Sequence, residues 1–183
     1  MRVVFEALVS WILAIALGGA APLSGQSLGS PPGEWEVKGA FVLNFIRFVN
    51  WSGIAGENRW DLPVCALAHS DFAHAVRRAV DNKAVKGRSI SFRFDSDPHP
   101  SRCRVLIVDA AEYRIAQPAL DAVRAAPVLT IGNGPGLIEI GGMFELIVEG
   151  RKIRFNTNLE AVRRADLQVS ANLLQLSRNL AIH

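Results

Sequence analysis

The sequence predicts an α/β fold: a single-domain sandwich in which helices flank a mixed, partly parallel sheet. Segments with strand and helix patterns alternate through the first half of the chain, which is typical of parallel strand pairs. Two adjacent strand patterns around a short turn then predict an antiparallel hairpin, so the sheet is expected to be mixed. About 150 of the 183 residues follow an N-terminal leader, which is enough for one hydrophobic core.

The chain begins with the pattern of a secretory signal peptide, which we assign to residues 1–25. Arg2 precedes an apolar run over residues 7–17, and small residues follow directly; this order is typical of an export leader. The run is shorter than the ~20 residues that cross a bilayer, and an uncleaved anchor is the alternative. Residues 26–33 belong to a stretch rich in Pro, Gly and Ser and are predicted to be a flexible tether. This leaves residues 34–183 as the folded domain.

The first predicted helix covers Glu34–Asn50 and has two apolar stripes. One stripe has residues at positions i, i+4, i+8 and i+11 of a helical repeat: Val37, Phe41, Phe45 and Phe48. A second, mostly apolar stripe lies beside it: Lys38, Val42, Ile46 and Val49. Because a surface helix usually buries one face only, we expect the sheet to cover one stripe and a second chain to cover the other. The second stripe is the candidate partner interface; the alternative is that a C-terminal helix covers it within the same chain.

Three strand patterns and one helix follow. Leu62–Leu67 is predicted to be a strand, and Ser89–Phe94 alternates as a more exposed strand does. Cys103–Val108 is almost wholly apolar, which is typical of a strand buried on both faces. After the first of these strands, Ser70 is the expected N-cap of a helix over Asp71–Val80.

The next helix is predicted from a capping box formed by Asp109 and Glu112. It is expected to run to about Ala125, and Pro118 within that span predicts either a delayed start or a kink. Val128–Ile131 is then predicted to be a short buried strand.

The rest of the chain is predicted to form a hairpin and a C-terminal helix. Met143–Val148 and Lys152–Thr157 flank a short turn and are expected to pair as antiparallel strands. A helical turn is expected over Leu159–Ala165, and Ser170 is the expected N-cap of the last helix. The apolar face of that helix would consist of three leucines with a fourth beside them: Leu173, Leu176 and Leu180, with Leu174.

Cys65 and Cys103 are the two cysteines of the chain. An oxidising compartment favours their pairing, and each lies in or beside a predicted strand, which allows them to face each other across a sheet. On the chain-entropy model a bridge that closes this loop stabilises the fold by about 4 kcal/mol. We predict a disulfide; two buried free thiols are the alternative.

No residue pattern predicts catalysis, a metal site or a cofactor. The glycine-rich loop after Ile131 has Leu137 where a dinucleotide fingerprint has its third glycine. His69 and His74 are five residues apart, so they do not share a helical face as an i, i+4 metal-binding pair does. Basic residues are spread along the chain and are not interleaved with aromatic residues, so nucleic-acid binding is not expected.

One candidate small-molecule pocket lies at the carboxyl ends of the predicted strands, where ligands bind in open α/β sheets. It would be formed by His69, Asp109 and Asn133. The alternative is that these positions are ordinary helix caps and turns.

Ten residues of the domain, which we call the signature positions, follow one another in a specific order and spacing. They are Phe41, Phe45, Phe48, Trp51, Gly141, Gly142, Phe155, Asn158, Leu173 and Leu174. Together with the strand after Cys103 and the segment Pro127–Thr130, they resemble the YfiR/HmsC-like family of exported bacterial proteins. The chain departs from that pattern at Asn156, Thr157 and Asp166, and it has no cysteine after Cys103.

This resemblance implies a periplasmic α/β domain without enzymatic activity that is often dimeric. The best-known members repress an inner-membrane diguanylate cyclase, which lowers cyclic di-GMP and biofilm formation, and an outer-membrane lipoprotein can sequester them. Other members act with different membrane receptors. The leading expectation is therefore a periplasmic repressor of a membrane signalling enzyme. The alternative is a periplasmic module that senses a small molecule together with a membrane receptor or histidine kinase.

Overall fold

The described residues of the computed structural model are 33–51, 61–97, 99 and 102–181. The predicted signal peptide over residues 1–25 lies outside them, and so does the predicted tether up to residue 32. Among the helices that the structure describes, none has the length and apolar character needed to cross a membrane.

Helices and strands alternate along the described chain. The helices are α1 (Glu34–Phe48), α2 (Asp71–Val80), α3 (Tyr113–Val123), α4 (Leu159–Arg164) and α5 (Ala171–Leu174). The strands are β1 (Val49–Trp51), β2 (Leu62–Ala66), β3 (Ala84–Val85), β4 (Arg88–Phe94), β5 (Val105–Asp109), β6 (Leu129–Asn133), β7 (Phe144–Glu149), β8 (Lys152–Asn158), β9 (Leu167–Val169) and β10 (Leu180–Ala181). A 3-10 turn over Ala110–Glu112 precedes α3.

Eight of these strands form one sheet in the order β10-β8-β7-β6-β5-β2-β4-β3. The strands from β4 through β2, β5 and β6 to β7 are parallel neighbours. β8 pairs antiparallel with β7, β3 pairs antiparallel with β4, and β10 runs parallel to β8. The mixed, partly parallel α/β sheet and its hairpin, as predicted from the sequence, are confirmed. β1 and β9 form a separate antiparallel pair.

The sheet has a hydrophobic core on each face. Along β5, Val105 and Ile107 pack with α1 and α2, while Leu106 and Val108 pack with α3 on the opposite face. All four side chains are buried, which explains why this strand is a continuous apolar run rather than an alternating one.

The predicted helix starts follow from local capping. The Ser70 hydroxyl accepts a hydrogen bond from the Ala73 N–H at 3.1 Å. Asp109 and Glu112 form a capping box around the 3-10 turn, in which Glu112 accepts from the Asp109 N–H at 3.1 Å. Pro118 lies inside α3, so it does not mark a delayed helix start.

The first helix ends earlier than the sequence pattern predicts. α1 stops at Phe48, and Val49–Trp51 leave as β1, which pairs with β9. The Ser170 N–H donates to the Phe48 carbonyl at 3.1 Å, which extends that pairing. The predicted helix over Glu34–Asn50 is therefore wrong at its end, because backbone pairing with a distant strand replaces the last helical turn.

The predicted C-terminal leucine helix is also wrong. Ser170 caps α5 as expected, with the Leu173 N–H donating to its hydroxyl at 3.2 Å, but α5 ends at Leu174. The chain then turns, and Leu180 begins β10 against β8. Leu173 is buried, whereas Leu176 is 69% exposed, so the leucines do not form one buried helical face.

Candidate partner-binding groove

The predicted partner interface on α1 lies inside the domain. Lys38 is 4% exposed, and Val42, Ile46 and Val49 are fully buried. The three apolar residues pack in the core shared by α1, α2 and the sheet. The prediction that this stripe contacts a second chain is therefore wrong, because α2 provides the cover that we expected from another subunit or from the C-terminal helix.

Close packing between α1 and α2 depends on a glycine. A Cβ atom at Gly39 would lie 2.8 Å from the Ala75 carbonyl oxygen and 3.0 Å from the Ala79 Cβ. Such distances are shorter than packed side chains allow. A larger residue at Gly39 would push the two helices apart and open the core beneath them.

A polar network attaches the start of α1 to the carboxyl ends of β5 and β6. The Lys38 Nζ donates to Glu34 and, at 2.7 Å, to the Asn133 Oδ1. The Asn133 amide in turn donates to the Asp109 Oδ2 at 3.2 Å. The ammonium also lies 4.8 Å from the centre of the Trp35 ring. These contacts satisfy a lysine that would otherwise be an unpaired buried charge.

The candidate small-molecule pocket is brought together only in part. Asp109 and Asn133 are in contact, but the structure gives His69 other neighbours: its ring stacks on Phe94 with centroids 3.6 Å apart and lies 5.8 Å from the His74 ring. Asp109 also caps the 3-10 turn. The polar atoms at this edge of the sheet are thus occupied by one another, and small-molecule binding there stays a prediction.

Glu112 is the buried acid beside this edge. Burial raises the pKa of its carboxyl above the usual range; the hydrogen bond from the Asp109 N–H opposes that shift, and the Asp109 charge adds to it. The carboxyl is held by a cap rather than aimed at an open cavity.

The glycine-rich loop after β6 is closed by a buried carboxylate. The Glu145 Oε2 accepts from the Gly136 N–H at 2.9 Å and from the Ile138 N–H at 3.3 Å. The Tyr113 hydroxyl donates to the Gly134 carbonyl at 2.8 Å, and burial, followed by the charge of Glu145, raises its pKa so that it stays protonated. A phosphate would need the same N–H groups that Glu145 occupies, so this loop is a structural turn.

The two cysteines form the predicted disulfide. Cys65 in β2 and Cys103 before β5 are bonded, with their Cα atoms 5.8 Å apart, and both are fully buried. A carboxylate oxygen of Asp95 lies within 4.8 Å of the sulfurs. Because both sulfurs are already bonded to each other, this cluster is not a thiolate metal site.

An open apolar groove lies between α1 and β8. Its cavity is about 190 Å³. It is lined by Phe41, Asn44, Phe45, Phe48, Ile153, Arg154, Phe155, Leu173 and Leu176; we call this the α1–β8 groove. The first apolar stripe of α1 thus supplies three of its residues, although the sequence pattern predicts that the sheet covers that stripe.

Packed aromatic rings form the floor of the groove. Phe45 stacks on Phe144 with ring centroids 4.9 Å apart and meets the edge of Phe155 at 5.0 Å. The walls are open: Phe48 is 43% exposed and Leu176 is 69% exposed. A rigid floor with exposed apolar walls is a surface that gains free energy when a second molecule covers it.

One basic residue, Arg154, lines the groove, and two more lie in the hollow beside it. A neighbouring hollow of about 520 Å³ shares Phe41, Ile153 and Arg154 with it and continues along the hairpin turn. Arg151, Lys152 and Arg154 are exposed there, and the described residues provide no ion-pair partner for them. We call these three residues the basic rim.

The signature positions have structural reasons. Gly141 has φ +95°, and a Cβ at Gly142 would lie 2.3 Å from the Leu137 Cγ. Asn158 caps α4 by accepting from the Ala161 N–H at 3.0 Å. The remaining signature positions are Phe41, Phe45, Phe48, Phe155 and Leu173 in the groove, with Trp51 and Leu174 half-buried outside it.

Sequence reasoning missed the contribution of β8 to the groove. The alternation in Lys152–Thr157 predicts a strand but does not say which element lies beside it. Leu176 was missed as well, because the leucine spacing suggested a helix.

Comparison with known proteins places the chain in a family. The model of the YfiR/HmsC-like family matches residues 35–178, and the chain belongs to this family.

A solved structure supports the fold alone. The chain is similar to the crystal structure of a conserved domain protein from Vibrio cholerae O1 biovar El Tor, with 10% sequence identity and a TM-score of 0.53. The match covers 82% of this chain and 61% of that one.

Proposed function

We propose that this protein is a periplasmic binding protein that represses an inner-membrane diguanylate cyclase and thereby lowers cyclic di-GMP and biofilm formation. Family membership supports the pathway. The observation that carries the proposal is the α1–β8 groove, because it is an apolar surface that the described part of the domain leaves open.

The groove has the composition of a recognition site. Phe48 and Leu176 are exposed above a packed aromatic floor, and aromatic residues are prominent among the few that dominate interface energies. Full burial of each such side chain contributes roughly 1.5–3 kcal/mol. Two or three of these contacts are enough to change a weak encounter into a specific complex.

Other partners fit the same surface. A different membrane receptor is one; an outer-membrane lipoprotein that sequesters the protein is another, and by competing for the groove it would relieve repression. A homodimer formed through this surface would also block the groove and so compete with partner binding. The polar clusters, by contrast, are occupied by caps and internal hydrogen bonds, which favours a binding role over an enzymatic one.

The test is to delete the gene and measure cyclic di-GMP and surface attachment. Both should rise in the deletion strain. Export of the wild-type protein to the periplasm should return both to the level of the parent strain. Unchanged cyclic di-GMP in the deletion strain would contradict the proposal. A response confined to a histidine-kinase pathway would assign the protein to a different membrane partner.

A further inference from the structure

We propose that the partner enters the α1–β8 groove as an extended segment that has alternating acidic and apolar residues and adds to the outer edge of β8. This inference rests on the proposed function, since it describes how the partner occupies the same groove. It follows from three features of the described part of the chain: a strand edge without a backbone partner there, an apolar groove beside that edge, and a basic rim without an ion-pair partner there.

The first half of β8 has a free outer edge. β8 pairs with β7 on its inner side, and there Ile153 faces Val148. On its outer side the Phe155 carbonyl accepts from the Arg178 N–H, and the Thr157 N–H donates to the Asn179 carbonyl. Because alternate residues of a strand point their backbone groups to the same side, the N–H and C=O of Ile153 also face outward.

The described residues place no backbone partner on that part of the edge. β10 lies against β8 only from Thr157 onward, and the preceding segment reaches back only as far as the Phe155 carbonyl. Unpaired edge groups of this kind accept an added strand. Such a strand would form its central hydrogen bonds with the N–H and C=O of Ile153.

The groove lies beside this edge. Ile153 and Phe155 line it, and both side chains pack on the α1 face of the sheet, Phe155 within the core there and Ile153 against it. In an added strand, every second residue would face the same way. Its apolar residues would then enter the space between Phe41, Phe48 and Leu176, and its other residues would face the opposite side.

The charge of the rim selects an acidic segment. Arg151, Lys152 and Arg154 are exposed and have no ion-pair partner among the described residues. Glu34, which also lines the neighbouring hollow, is bonded to Lys38. A second copy of this chain that paired through the same edge of β8 would bring two basic rims near each other, which is repulsive. The rim therefore favours a different, acidic chain over self-association.

A peptide titration tests the mode of binding. The probe is an acetylated, amidated heptapeptide of alternating Glu and Leu, and the matched control has Lys in place of Glu. We expect the Glu peptide to bind, with an affinity that falls as salt is added, and the Lys peptide to bind at least about tenfold more weakly. No binding of the Glu peptide at millimolar concentration, or equal binding of both, overturns the inference.

Hydrogen exchange distinguishes strand addition from other occupants. In the free protein the Ile153 amide should exchange fast, while the Arg154 amide, which faces β7, should be slow. The Glu peptide should slow the Ile153 amide at least about tenfold and leave Arg154 unchanged. A bound peptide that leaves Ile153 fast would indicate a helix or side-chain contacts alone, and this would overturn the strand model without affecting the proposed repression.

A backbone variant provides the second test. Ile153→Pro removes the outward N–H, and an edge position tolerates proline; Ile153→Ala shortens the side chain but keeps the N–H. Ile153→Pro should lose peptide binding by at least about tenfold more than Ile153→Ala. Equal losses would contradict strand addition. If Ile153→Pro does not fold, the exchange measurement on the wild type decides.

Discussion

The two sides of α1 have similar apolar composition and different environments. On one side, Val42 and Ile46 are fully buried under α2 and above the sheet. On the other side, Phe41 is half-buried and Phe48 is 43% exposed, and both line an open groove. One helix therefore carries a core surface and an open apolar surface.

This difference shows that an apolar stripe does not identify its own cover. The second stripe is covered because α2 is amphipathic, and its buried residues Phe72, Val76 and Val80 complete the core. In the first stripe, Phe41 and Phe48 remain accessible because β8 lies at the side of the groove and α5 is only four residues long. Length and position of the neighbouring elements decide which stripe a partner can reach.

The largest expected effect comes from a charge on the closed side. Val42→Glu places an unpaired carboxylate in the core and should lower the free energy of unfolding by at least about 3 kcal/mol. Chemical denaturation measures it. The matched control on the open side is Phe48→Glu, which should change stability by less than about 1 kcal/mol. A folded Val42→Glu variant of near wild-type stability would refute the assignment of the two sides.

The disulfide should stabilise the whole domain, and with it both sides of α1, although it does not line the groove. Replacing Cys65 and Cys103 together by alanine should lower the free energy of unfolding by about 4 kcal/mol on the chain-entropy model. Reduction of the wild type should likewise lower its melting temperature. Mass spectrometry of the non-reduced protein should find no free thiol. A double variant as stable as the wild type would show that the bond contributes little.

The polar network at the start of α1 should contribute less. Lys38→Met keeps the apolar stem but leaves the Asn133 oxygen without its buried donor, which should cost about 1–3 kcal/mol. Glu34→Gln is the control, because Glu34 is half-exposed and its loss should cost less than about 1 kcal/mol. Thermal melts of the two variants compare the costs. Equal effects would indicate that the Lys38–Asn133 bond does not hold the helix.

The smallest effect should be a pH dependence at Glu112. Because its folded-state pKa is raised, the folded protein binds the proton more tightly than the unfolded chain does. The resulting stability is present below the unfolded pKa of about 4.3 and is lost as pH rises through the folded value. Glu112→Gln should therefore be at least as stable as the wild type at neutral pH. As the pH falls, the free energy of unfolding of the wild type should increase relative to that of the variant. Parallel pH profiles of the two proteins would contradict this.

The sequence predicts local features better than distant pairings. The Ser70 cap, the Asp109–Glu112 box and the β7–β8 hairpin depend on neighbouring residues, and the structure confirms them. The disulfide was predicted from the export leader, which implies an oxidising compartment, together with the predicted sheet, and the structure contains it.

The sequence patterns do not predict contacts between segments that are distant in the chain. β1 and β9 are three residues each and form only through each other, so neither has a period of its own. The groove requires α1, β8 and α5 to meet, and nothing in the spacing of Phe48 or Leu176 reveals that meeting. The misassigned partner stripe has the same cause.

The most direct test of the proposed repression compares three chains in a strain from which the gene is deleted. Wild type, Phe48→Glu and Ile115→Glu are each exported and checked for equal periplasmic amounts, and cyclic di-GMP is measured. Ile115 is the control, because it is 73% exposed on α3, across the sheet from the groove. We predict that wild type and Ile115→Glu lower cyclic di-GMP, whereas Phe48→Glu leaves it at the level of the deletion strain. Full repression by a folded Phe48→Glu protein would contradict the account.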